Sequence, residues 1–380
     1  MNSATNPKRV RVLVVDDSNF VRRTLADLLD ADPRLEVVGF AADGAQALTR
    51  VNELRPDVVT MDVVMPRMDG IEAVRRLMNT NPVPVVMVSS YTKQGAAYTV
   101  EALSLGAIDC VLKPSRSVSL DLHLIAEELI AKVLLASRIR PVRFAPLERR
   151  ETGERAAEKT TPEPSPTTAV APRAAAPTKR RQPPPRDDVD PPVRFIAVGA
   201  STGGPALLRR LLAALPADYP VPVAVVQHIT PSFYEELLRI FQRVCALEVR
   251  RPVDGERVIP GRIYLAAPRS HLQVDDKGRF RLLTADPVAG HIPSATVLLE
   301  SVARAYGAGA AGVILSGMGA DGAAGMRELE RAGGTTYVQD RLSSVVWGMP
   351  SAVLEAGVRA ATVSAFELGA LFLQLAGRQP

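Results

Sequence analysis

The sequence predicts an α/β protein: two domains, each a parallel sheet covered by helices, joined by a polar linker. Three observations carry this. Short β-branched runs alternate with helix-period stretches on either side of a central segment, the pattern of strand–helix–strand crossovers. The strand candidates are near-continuous apolar runs, as a sheet covered on both faces requires. The central segment, residues 141–192, holds 12 prolines and only five Val, Leu or Phe residues. That is too little apolar surface to offset the entropy of ordering it.

In chain order, Arg11–Val15, Glu36–Ala41, Val58–Met61, Val85–Ser89 and Asp109–Leu112 read as strands of the first domain, residues 1–140. Helices such as Phe20–Asp30 and Ala45–Leu54 fit between them. PEPSPTTAVAPRAAAP and RRQPPPR make 141–192 an extended linker. In the second domain, residues 193–380, Arg194–Gly199, Val221–Gln227, Arg262–Ala266 and Gly312–Leu315 read as strands. Pro205–Leu215, Phe233–Val244, Ser294–Tyr306 and Gly322–Ala332 read as helices, joined by Gly-rich turns that suggest a doubly wound sheet.

Composition excludes several classes. The net charge is +5, but no segment concentrates it: residues 193–380 carry 19 basic and 16 acidic side chains. Nucleic-acid binding is therefore not indicated. The two cysteines, Cys110 and Cys245, lie in different segments, which argues for a reducing compartment rather than a disulfide framework. No apolar signal segment opens the chain, and no apolar run approaches the ~18 residues that a bilayer span needs. The expectation is a cytosolic, soluble chain without membrane insertion, a monomer by default.

Asp16 and Asp17 end the first strand and Asp62 the third. The strand C-termini of an open parallel sheet line one crevice, where ligands bind. Three carboxylates there repel one another unless a cation sits among them, and an all-oxygen set suits Mg²⁺. Ser89 and Lys113 reach the same edge from the fourth and fifth strands. With Asp62 as nucleophile, this set makes a phosphoryl-transfer site that forms an aspartyl-phosphate. Caps and a loop residue would account for one such aspartate, not for the whole set.

The stretches VLVVDDS, MDVVMPRMDG, MVSS and VLKP, spread over residues 9–135, resemble a response-regulator receiver domain, whose fold is flavodoxin-like. The resemblance implies that Asp62 is the phosphoacceptor. It also implies that Asp16, Asp17 and the carbonyl of Val64 hold Mg²⁺, that Ser89 and Lys113 are switch and phosphate contacts, and that a histidine kinase is the phosphodonor. Three residues before the lysine, where the receiver pattern has an aromatic, stands Cys110.

Gly199-Ala-Ser201-Thr-Gly203 follows a strand and opens a helix. In that context G-x-S-x-G places a serine at the sheet edge, near backbone N–H groups able to hold an oxyanion. Two other readings fit the motif: a phosphate-binding loop, though the Walker lysine is missing, and a plain helix cap. A nucleophilic serine needs a base. Among four histidines, position favours His228, at a strand end on the same edge; His123, His271 and His291 read as structural. Asp321 reaches that edge from VILSGMGAD, either to orient the base or to cap the helix after it.

VGASTGGPALL, VVQHITPSF, DGERVIPGRIYLAAPRSHL, HIPS, LSGMGADGAAG and TYVQDRLSSVVWGMP, in this order over 194–376, resemble the catalytic domain of CheB-type chemotaxis methylesterases. The resemblance implies Ser201 as nucleophile, His228 as base, Asp321 as its orienter, and backbone N–H groups near Thr202 and Met318 as the oxyanion hole. It implies a hydrolase that restores glutamate from γ-methyl esters on methyl-accepting chemotaxis receptors and deamidates glutamines there, with no cofactor in the catalytic domain. PSATVLL lacks an aspartate usual in the family, and this stretch and QHITPSF read as substrate rim. The rival class is a receiver-controlled output module without catalysis, or one that binds a nucleotide.

Overall fold

The apolar runs become fully covered strands. In the computed structural model, which describes residues 8–90, 93–113, 125–139 and 193–378, Val12 to Val15, Val58 to Met61 and Val85 to Val88 are at most 1% exposed. The first segment runs β1 (Val10–Val15), α1 (Asn19–Asp30), β2 (Leu35–Ala41), α2 (Gly44–Leu54), β3 (Val58–Asp62), α3 (Gly70–Thr80), β4 (Val85–Ser90), α4 (Lys93–Leu105), β5 (Asp109–Lys113) and α5 (Ala126–Ala136). The sheet order is β2-β1-β3-β4-β5, all pairs parallel. The winding reverses between β1 and β3, so the crevice opens at the C-terminal ends that carry Asp16, Asp17 and Asp62. Local chemistry starts the helices: the Asp43 and Asp69 carboxylates accept from the backbone N–H of Gln46 and Glu72. β3 and β5 run one residue further than expected, so Asp62 and Lys113 belong to the strands themselves.

The second segment runs β6 (Phe195–Ala200), α6 (Gly204–Ala213), β7 (Val223–Gln227), α7 (Tyr234–Val244), β8 (Glu248–Arg250), β9 (Arg262–Leu265), β10 (His271–Val274), β11 (Phe280–Leu283) and α8 (Ala295–Tyr306). It continues with β12 (Ala310–Ile314), α9 (Ala323–Arg331), β13 (Thr335–Gln339), α10 (Gly348–Glu355), β14 (Ala361–Val363) and α11 (Leu368–Leu375). Seven parallel strands lie in the order β14-β13-β12-β6-β7-β9-β8, and β10 and β11 pair as a separate antiparallel hairpin. The order reverses between β6 and β12, which puts Ser201 and the Ser316–Met318 loop on the two sides of one switch point. Sequence patterning found β6, β7, β9 and β12 but not β8, β13, β14, α10 or α11. β8 and β14 are three-residue edge strands, too short for a period to register.

α4 packs against α6 and α7, and Val345 and Val346 join the apolar cluster of β4, β5 and α5. The described residues of both α/β segments thus fall in one compact unit. The linker expected at 141–192, and His123, lie outside the described residues.

Candidate active site

The turn after β6 is built around glycine. Gly203 has φ +80°, and a Cβ there would sit 2.5 Å from Val345 Cβ. A Cβ on Gly204 would sit 2.1 Å from Gln227 Oε1. With both glycines in place, the Gln227 amide tucks under the turn and donates to the carbonyls of Ser201 (2.8 Å) and His228 (2.9 Å), tying the ends of β6 and β7 together. Ser201 is half-buried and its N–H donates to Ser316 O (3.0 Å). Ala200 pairs with Gln227 across the sheet and His228 N donates to Ala200 O (2.9 Å), so Ser201 and His228 are the next residues in the same register.

The His228 side chain is 7% exposed, and its Nε2 lies 2.8 Å from Asp321 Oδ2. Asp321 is fully buried. Its oxygens also accept from Ser294 Oγ (2.6 Å), Ala295 N (2.7 Å) and Thr296 N (3.0 Å). Burial alone would raise its pKa; His228, Ser294 and the Thr296 N–H outweigh that and hold it well below the usual carboxylate range. The capping alternative needs correcting: Asp321 supports the N-terminus of α8, not of its own α9, which starts on Gly322 with no side-chain cap. Ser294, Ala295 and Thr296 are therefore buried, and this part of PSATVLL is not a substrate rim. Thr230, Pro231 and Ser232, in QHITPSF, are exposed.

With Nε2 facing a carboxylate, the proton belongs on that nitrogen and the lone pair on Nδ1. His228 Nδ1 is buried and has no hydrogen-bond partner among the described residues. Ser201 Oγ makes no hydrogen bond among them either. The N–H groups of Thr202 and Met318 likewise have no acceptor among the described residues. His271 is structural, as expected: Nδ1 accepts from Ser294 N (3.1 Å) and Nε2 faces Asp286 O (3.0 Å). His291, also expected to be structural, lies against the site. Its ring stacks on His228 with centroids 3.7 Å apart and planes 7° from parallel. No local signal marked it, because the stack joins two loops distant in sequence.

In the first segment, one carboxylate oxygen each from Asp16, Asp17 and Asp62 lie within 4.8 Å of one another, a spacing that suits a hard cation. Lys113 Nζ reaches Asp16 Oδ2 (2.7 Å) and Asp62 Oδ2 (2.9 Å). Burial raises the Asp62 pKa, and Asp16 adds to this against the pull of Lys113. Burial works against the Lys113 ammonium, yet the two carboxylates hold its pKa above that of ordinary lysine. Ser89 is fully buried at the end of β4, and Val64 is exposed just beyond β3. Burial, with Asp109 nearby, pushes the Cys110 thiol to about 12, so it is inert.

A CheB methylesterase family model matches residues 196–372 and a response regulator receiver model residues 12–124. The chain is 43% identical over 354 residues to a protein-glutamate methylesterase/protein-glutamine glutaminase of Symbiobacterium thermophilum, covering 92% of each. The chain belongs to this family. A relative of the same name from Geobacillus kaustophilus is 40% identical over 97% of this chain and 99% of its own. Among solved structures, the Thermotoga maritima CheB methylesterase catalytic domain matches 48% of the chain and 98% of its own at 33% identity and TM-score 0.47. The response regulator domain of that CheB matches 35% of the chain and 100% of its own at 48% identity and TM-score 0.34. This family membership leaves no support for the rival output module.

Proposed function

We propose that this chain is a phosphorylation-regulated protein-glutamate methylesterase and glutaminase acting on methyl-accepting chemotaxis receptors. The observation that carries the reading is the buried Asp321–His228 pair beside Ser201, with His228 Nδ1 left as an unpaired acceptor. Nδ1 takes the Ser201 proton while Oγ attacks the γ-carbonyl of a glutamyl methyl ester. The unpartnered N–H groups of Thr202 and Met318 stabilise the oxyanion. The imidazolium returns the proton to the departing methoxide and methanol leaves. Water then attacks the acyl-serine with His228 again as base, releasing glutamate and free Ser201. A glutamine side chain follows the same course with ammonia as leaving group.

Control begins at Asp62, whose carboxylate takes the phosphoryl group from a phosphohistidine of the partner kinase: an O–P bond forms and a P–N bond breaks. Asp16, Asp17 and the Val64 carbonyl would hold Mg²⁺, which when bound neutralises phosphoryl charge. Lys113, already against Asp62, is placed to pair with the acquired phosphate, and Ser89 to bond it. The unphosphorylated first segment masks the esterase edge. Asp109 Oδ2 accepts from Thr202 Oγ1 (3.2 Å), next to the nucleophile. Met318 shares a groove with Ile130 and Leu134 of α5. Phosphorylation shifts the population toward an open arrangement. No helix among the described residues is long and apolar enough to cross a membrane. The site of action proposed is the cytoplasm, where a phosphohistidine donor and the receptor's methylated segment would both be within reach.

The test is methanol release from methylated receptor fragments by wild type and Ser201→Ala, with and without a small phosphodonor and Mg²⁺. Wild type should release methanol faster with phosphodonor, and Ser201→Ala should lose about 10⁴-fold or more. Equal, negligible release from both would sink the esterase reading. Serine-dependent release with no phosphodonor response would sink only the control.

A further inference from the structure

We propose that His291 is a positioning residue for the esterase: its ring, stacked flat on His228, holds that imidazole in the plane that joins Asp321 to Ser201. The inference rests on reading His228 as the base. A single hydrogen bond, Nε2 to Asp321, anchors the His228 ring, and its other nitrogen has no partner among the described residues. One bond fixes a point rather than a plane, and the imidazole χ2 torsion is broad. The His291 ring, 3.7 Å away and 7° from parallel, covers a whole face. A swing of His228 out of plane drives it into that ring.

His291 is itself held. Its backbone exchanges two hydrogen bonds with Val288 (3.0 and 3.2 Å) across a turn in which Ala289 and Gly290 have φ of 50° and 80°. Three residues on, Ser294 caps α8 and donates to Asp321. The segment that supplies donors to the orienting carboxylate thus also supplies the ring that orients the base. Neither ring nitrogen of His291 has a hydrogen-bond partner among the described residues, so the stacked face is its contribution. Burial, then the proximity of His228, keeps the His291 pKa below that of ordinary histidine. A neutral ring face accepts the imidazolium that forms on His228 during turnover, where a second cation would repel it.

The experiment uses the full chain with phosphodonor and Mg²⁺, and compares His291→Ala, His291→Phe, His291→Leu and His228→Ala by methanol release. A fluorophosphonate reports Ser201 nucleophilicity independently of receptor binding. His291→Ala should lose about tenfold to hundredfold in kcat with KM within about twofold. His291→Phe keeps a flat ring and should recover to within about threefold, while His291→Leu fills the volume without a flat face and should stay low. Fluorophosphonate labelling rates should follow kcat. Full kcat in His291→Ala, a Phe variant no better than Ala, or a Leu variant equal to Phe would each overturn the proposal. Should the alanine variant fail to fold, the Phe–Leu comparison decides alone. Loss in His228→Ala beside unchanged His291→Ala overturns this proposal and leaves the base assignment standing. Full turnover in His228→Ala overturns both.

Discussion

The Asp321 carboxylate accepts from His228, Ser294 and the N–H groups of Ala295 and Thr296, so it anchors the His228 ring and starts a helix at once. Asp321→Asn keeps the shape but replaces one acceptor with a donor. Turnover should fall by about 10⁴, and the urea midpoint at pH 7 should drop by the equivalent of ~2 kcal/mol. Because the folded-state pKa lies below the unfolded value near ~4, this stabilisation is fully present above pH ~4 and is lost as pH falls toward the folded pKa. Urea midpoints from pH 7 to 3 should therefore show the gap between wild type and Asp321→Asn narrowing below pH ~4; a constant gap would contradict the assignment. Asp62 runs the other way. Its folded pKa is raised, so its ionisation costs stability once pH exceeds the unfolded value. Asp62→Asn should raise Tm at pH 7, show no such gain below pH ~4, and abolish the response to phosphodonor.

The turn that joins β6 to α6 depends on two glycines for two reasons. Gly203 supplies a left-handed φ at no steric cost, and Gly204 leaves room for the Gln227 amide. Gly204→Ala should displace that amide from the Ser201 and His228 carbonyls. The expected result is ~1–3 kcal/mol of destabilisation in urea and a kcat at least about tenfold lower, with the loops no longer in register. A variant of wild-type stability and kcat would show that the strap is dispensable. The β3–α3 connection has the same character: a Cβ on Gly70 would sit 2.1 Å from Asp62 O, so a missing side chain lets the helix start close under Asp62.

Each segment brings its candidate site to the point where the winding of a parallel sheet reverses, and the two segments meet through Asp109 and Thr202. Asp109 is the contact to test. It lies outside the catalytic set, accepts from Thr202 Oγ1 and pairs with Lys132 at 3.1 Å. Asp109→Ala removes one interdomain hydrogen bond worth ~1 kcal/mol, about fivefold in a closed–open equilibrium. Methanol release without phosphodonor should rise by about that factor, while the rate with saturating phosphodonor stays put. An unchanged basal rate would mean that the latch lies elsewhere. If isolated residues 193–380 were no faster than the unphosphorylated whole chain, masking itself would be wrong.

The sequence by itself determined the parallel α/β class of both segments, every strand of the first sheet, the inner strands β6, β7, β9 and β12 of the second, and the strand-end residues. Val-rich runs ending in Asp16-Asp17 and in Asp62, and an apolar strand running into GASTGG, express covered strands and turns through neighbouring residues. The shared site edge then follows from parallel winding, while the strand order came from the packed sheets. Tertiary structure alone decided how the end groups meet. Asp321 and His228 are 93 residues apart, and nothing local says that the carboxylate meets Nε2 and frees Nδ1. Nor does anything local say that Asp321 starts α8 rather than its own α9, or that His291, just before a proline turn, lies flat on His228. Capping, tautomer and stacking are set by groups arriving from different loops. Local periodicity carries no record of such meetings, and only the packed sheet edge brings them about.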